Sequence, residues 1–187
     1  MMVGTDPSEA FAVEDGGGAF RRQDGSVAPA LAIAHAYGYE WIRIRIMVDP
    51  DGEYGLSQDL SYVLRMSREA KLKYGFRILL DFHYSHWWSD RENQWSPQRW
   101  RFPENDTEVD MQTLTQRVYQ YTRHVLQVLH DNNCLPDAVQ IGNEISSGLL
   151  WPHGELPVHW EKSTNNTHSL PQERYNVVDF CKTESTL

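Results

Sequence analysis

The chain has 187 residues, with 17 Lys and Arg against 26 Asp and Glu, for a formal charge of −9 with histidine neutral. Such acidity argues against a nucleic-acid partner or an anionic membrane surface, since both call for a basic stripe. Apolar residues make up 40% of the chain, enough for one core, but the length falls short of the about 250 residues usual for a closed (β/α)8 barrel.

Met2 to Asp6 reads as a short strand that stops at Asp6-Pro7. Asp15 to Gly25 is rich in glycine and charge and reads as loop. Val27, Ala30, Leu31, Ala34 and Tyr37 recur at helical spacing, with Gly38 as the terminating residue. Trp41 to Val48 alternates: Ile42, Ile44 and Ile46 share one face and Arg43 and Arg45 the other, before a turn at Asp49-Pro50-Asp51-Gly52. Ser57 is placed to cap a helix that runs to Tyr74, with Leu60, Val63, Leu64 and Ala70 inward and Gly75 ending it. Phe76 to Phe82 is a near-continuous apolar run, the pattern of a strand covered on both faces.

His83 to Asp110 is a long irregular stretch rich in Trp, Pro and charge, and a loop of that length usually carries function. Met111 to Asp131 is a helix, because Leu114, Val118, Tyr121, Val125 and Leu129 form one stripe. Ala138 to Gly142 is a short strand that leads into Asn143-Glu144. Strands that alternate with helices imply parallel pairing with right-handed crossovers. An open doubly wound sheet and part of a (β/α)8 barrel both fit. No glycine-rich phosphate loop follows the first strand, which disfavours the nucleotide-binding version.

Polar and aromatic residues gather just after strand ends: Asp6, Arg45, Asp49, His83, Tyr84, Asn143 and Glu144. In a barrel that end builds the site. A carboxyl group such as Glu144, walled by aromatic rings, would lose hydration and become a general acid. Asn143 could bond a substrate hydroxyl, Arg45 could pair with a carboxylate, and His83 could donate. Trp87, Trp88, Trp95, Trp100 and Trp151 offer flat apolar faces that suit the C–H faces of sugar rings. Plainer readings stand beside these. Glu144 could be a surface charge, Arg43 and Arg45 solvated edge residues, Asp6 and Asp49 turn formers, and the Trp-rich loop a cover for the barrel mouth. Gly148 to Trp151 could be plain core. His83 and His86 lack a third ligand at metal spacing, so no metal site is expected.

At these residues the sequence resembles glycoside hydrolase family 53, the endo-β-1,4-galactanases. The matching pieces are Gly4-Thr5-Asp6, Arg43-Ile44-Arg45 with Val48-Asp49-Pro50, Asp81-Phe82-His83-Tyr84-Ser85, and Trp88-Ser89-Asp90 with Pro97 and Trp100. The most specific is Ile141-Gly142-Asn143-Glu144-Ile145, continuing to Gly148-Leu149-Leu150-Trp151-Pro152 and Gly154-Glu155. The resemblance implies strands one to four of a (β/α)8 barrel and retaining cleavage of β-1,4-galactan in pectin side chains. It makes Glu144 the acid/base and Asn143 the contact to the sugar 2-hydroxyl. Arg45 becomes the support of the nucleophile, His83 a further site residue, and Trp88 and Trp151 the lining of the sugar subsites. It implies secretion; no cofactor is expected, and the resemblance leaves a bound calcium open.

Three departures accompany it. No residue matches the family's strand-seven nucleophile, so this chain alone is expected to be inactive; the alternative is a non-catalytic fragment that binds galactan weakly. His86 stands where the family usually has Asp. After Glu155 the motifs end, so residues 1–155 read as the first half of a barrel and 156–187 as a divergent, irregular tail. Open barrel edges would invite self-association.

No run approaches the ~18 apolar residues of a membrane span. Met1 to Phe20 lacks the basic start and apolar stretch of a signal peptide. Cys134 and Cys181 read as two free, partly buried thiols, with a bridge between them left open. The sequons at Asn105 and Asn165 matter only in an exported protein.

Overall fold

A computed structural model describes residues 3–52, 56–100 and 111–156. Nearly all of the 156–187 tail, both sequons and Cys181 lie outside them. Four strands form one parallel sheet in the order β1 (Gly4–Thr5), β2 (Trp41–Ile46), β3 (Arg77–Phe82) and β4 (Ala138–Ile141). The helices are α1 (Ala10–Asp15), α2 (Ala30–Ala36), α3 (Leu60–Arg68) and α4 (Met111–Asp131). Strand order decides between the two architectures. A doubly wound sheet reverses direction at a switch point. Here each strand is added beside the last, which is the winding of a barrel wall.

The alternation in β2 and β3 sets the two faces. Ile42, Ile44, Ile46, Ile78, Leu80 and Phe82 are all fully buried against the helices, each contributing about 2 kcal/mol of transfer free energy. Leu31 of α2, Val63 and Met66 of α3, and Leu114, Val118, Val125 and Leu129 of α4 complete that layer. Pairing puts Arg43 beside Leu79 and Arg45 beside Asp81. These four side chains therefore face the other way, into the barrel interior.

The sequence misplaced some boundaries. The six-residue α1 is too short to show periodicity, but Phe11 is buried in it beneath the Arg65 guanidinium, 4.7 Å from the ring. Asp59, not Ser57, caps α3: its Oδ1 accepts the Tyr62 N–H at 2.8 Å, a bond whose loss costs about 1 kcal/mol. The α3 turn widens to π geometry over Glu69–Lys73, and Gly75, at φ 70°, ends it. Cys134 is a buried free thiol whose Sγ lies 3.5 Å from the Leu129 carbonyl; burial raises its pKa.

The open wall exposes apolar surface on its helix side. Its interior is polar, lined by Arg43, Asp81 and Gln140. The bare residues are Val139 and Ile141, 39% and 43% exposed. They stand in register with Leu80 and Phe82, on the helix side, where no described helix covers them.

Candidate active site

Arg43 is the hub of the strand ends. Its Nη1 bonds Asp6 Oδ2 at 2.6 Å, its Nε bonds Gln140 Oε1 at 3.2 Å, and its Nη2 bonds both Asp81 Oδ2 and Asn143 Oδ1. One side chain thus links all four strands or their ends, so Arg43 is not a solvated edge residue. Asp6 is likewise more than a turn former. Burial alone would raise its pKa, but hydrogen bonds from Ser8 and Arg43 and the nearby Arg45 charge outweigh that and hold it below the usual carboxylate value.

Arg45 is 7% exposed. Its Nη2 lies 3.1 Å from Glu9, its Nε 3.8 Å from Asp6, and its guanidinium covers the Trp88 ring at 4.9 Å. His83 packs on the same Trp88, with ring centres 5.5 Å apart. Its Nδ1 accepts the Ser89 N–H at 3.4 Å, and its Nε2 lies 3.0 Å from Asp81 Oδ2 without the geometry of a hydrogen bond. Asp81 is fully buried between Arg43 and His83, and its Oδ1 has no partner among the described residues.

Asn143 follows β4 and is held at three points. Its Oδ1 accepts from Arg43 at 2.8 Å, its Nδ2 donates to the Ser89 carbonyl at 2.7 Å, and its own carbonyl accepts from Gln94 Nε2 at 2.6 Å. Glu144 then adopts a left-handed backbone, φ 52° and ψ 41°, which costs a non-glycine residue about 1 kcal/mol. Asn143-Glu144 therefore lies at the same strand ends as Arg43 and the loop after β3. Glu144 is exposed, however, and its carboxylate has no partner among the described residues. The expected aromatic enclosure is not formed by the described residues, which leave Glu144 exposed.

The tryptophans divide. Trp88 and Trp95 are 37% and 44% exposed, and Trp95 meets Trp151 edge to face at 5.6 Å. Trp151 is anchored through its Nε1 to the Ser147 carbonyl at 3.1 Å. Trp100 is 5% exposed and packs on Tyr121 at 5.6 Å, so it belongs to the core rather than to a sugar platform. Tyr121, bonded to the Met47 carbonyl at 2.9 Å, and Tyr84, bonded to Thr122 at 2.8 Å, anchor the strand ends to α4. Burial pushes the Tyr84 pKa up to about 12. Asp49 pairs with Arg99 at 2.9 Å, and together with His86 they line a hollow of about 180 Å³. Among the described residues no group of three His, Cys, Asp or Glu could hold a metal.

Sequence reasoning missed Gln94, and it named Asp81 and Ser89 only as parts of motifs. For Asp81 a signal was present: it shares parity with Leu79 on β3, and the register sets it beside Arg45. Gln94 and Ser89 sit in irregular backbone, where no periodicity reports which way a side chain points.

A singly wound parallel wall with charged side chains inside and tryptophans at its C-terminal rim is part of a (β/α)8 barrel. The chain belongs to glycosyl hydrolase family 53, whose model matches residues 2–179. That match runs past Glu155, where the recognisable motifs stop. Arabinogalactan endo-β-1,4-galactanase A of Aspergillus niger is 37% identical over 153 residues, 81% of this chain and 41% of its own length. The GH53 catalytic domain of Ignisphaera aggregans superposes with a TM-score of 0.72 at 37% identity, over 82% of this chain and 42% of that one. A fungal β-1,4-galactanase structure gives 0.73 at 30% identity, over 82% and 43%. The chain spans about 40% of the length of the curated relatives it matches.

Proposed function

We propose that this chain carries the acid/base half of a retaining endo-β-1,4-galactanase site acting on the galactan side chains of pectin outside the cell. The observation that supports it most is the placement of Asn143-Glu144 at the end of β4, bonded to Arg43 and to the loop that carries Trp88. Relatives named as β-1,4-galactanases supply the substrate class. Glu144 protonates the departing glycosidic oxygen. Asn143 keeps one amide hydrogen, beyond the one given to Ser89, for a sugar hydroxyl. Trp88, Trp95 and Trp151 take the apolar sugar faces, while Arg45 and His83 fix Trp88.

A retaining double displacement also needs a nucleophilic carboxylate about 5 Å from the acid. Asp6 and Asp81 are both bound by Arg43 and are poor candidates. The second carboxylate is therefore assigned to none of the described residues. Native electrophoresis through gels containing β-1,4-galactan tests the reading. Retardation specific to galactan, weakened by Trp88→Ala and kept by Glu144→Gln, is the expected result, with no reducing ends released. Equal mobility in galactan and polysaccharide-free gels refutes it.

A further inference from the structure

We infer that Gln94 is the positioning residue for Glu144. The inference rests on the acid/base reading of Glu144 but adds a part that neither the motifs nor the family assignment provides. Gln94 is 2% exposed, although it lies in the irregular loop between β3 and α4. Its Nε2 donates to two backbone carbonyls, that of Asp90 at 2.7 Å and that of Asn143 at 2.6 Å. Its own carbonyl accepts the Trp151 N–H at 2.7 Å. One residue therefore ties its loop, the Asn143–Glu144 peptide and the Trp151 segment together.

The bond to Asn143 matters most. The Asn143 carbonyl belongs to the peptide unit that also carries the Glu144 N–H, so the orientation of that carbonyl sets the Glu144 φ. Glu144 lies at φ 52°, a conformation that a non-glycine residue keeps only when its surroundings over-determine it. Arg43 and Ser89 hold the Asn143 side chain but leave its carbonyl free to turn. Gln94 is the only side chain among the described residues that holds this carbonyl. Without it the peptide relaxes toward negative φ, and the Glu144 carboxyl swings away from the rim of β4.

The test is NMR of the whole chain, uniformly labelled. In the unsubstituted protein the Gln94 carboxamide hydrogens should exchange with solvent at least about tenfold more slowly than those of exposed Gln98. Gln94→Glu keeps the shape but sets an oxygen against both carbonyls, and Gln94→Ala removes both donors. In each, the Glu144 Cα and amide resonances should leave their left-handed values while Ile44 and Leu80 stay unmoved. Glu144 resonances unchanged in Gln94→Glu, or equal exchange at Gln94 and Gln98, overturn the proposal. The exchange measurement stands even if a variant fails to fold. Neither readout depends on catalysis, so a chain that ignores galactan would sink the functional reading, while the hold of Gln94 on the Glu144 backbone is tested separately.

Discussion

Arg43 Nη2 lies 2.8 Å from Asn143 Oδ1, joining the middle of β2 to the turn beyond β4. The same nitrogen also bonds Asp81, which is wholly buried. One guanidinium thus holds both a buried carboxylate and a residue of the candidate site.

Arg43→Ala leaves the Asp81 carboxylate buried with only His83 beside it. Removing one partner of a buried pair is costly, so the chain should lose about 3 kcal/mol of stability. Urea unfolding followed by tryptophan fluorescence measures it. A loss near zero would mean that Asp81 is solvated or neutral.

Asp6 makes a pH prediction. Its folded pKa lies below the ordinary 3.8. A carboxylate shifted in that direction adds stability above its unfolded pKa and loses the contribution as pH falls through the folded value. Asp6→Asn should therefore melt lower than the parent chain at pH 7, and the gap should close as pH drops below about 3.8. A gap that stays constant down to pH 2.5 contradicts the assignment.

The strands and the long α4 were legible because their side chains obey a period: Ile42, Ile44 and Ile46 at two, Leu114, Val118, Val125 and Leu129 at roughly four; the barrel winding was not, since periodicity fitted an open sheet equally and only the strand order decided it. The candidate site was legible only where residues sit at strand ends, as Asn143, Glu144 and His83 do. Choosing between Arg43 and Arg45 as the residue that touches Asn143 needed the lateral register of β2, β3 and β4, which no single strand contains. The exposure of Glu144 was not legible at all, since it depends on what stands across the barrel.

Val139 and Ile141 form an apolar strip beside the edge of β4 that pairs with no strand among the described residues. Exposed parallel edges promote association, so light scattering should show an average mass that rises with concentration. Val139→Thr with Ile141→Thr should reduce that rise without changing the melting temperature by more than a few degrees. A monodisperse parent chain at high concentration removes the strip as an association surface.

The central claim is that the rim of these four strands recognises β-1,4-linked galactose beside Glu144. Titrating galactotetraose while following tryptophan emission tests it most directly. The account predicts a saturable change, retained in Glu144→Gln, lost in Trp88→Ala, and absent with cellotetraose or mannotetraose. No saturable change with galactotetraose, or the same change with all three sugars, would contradict it.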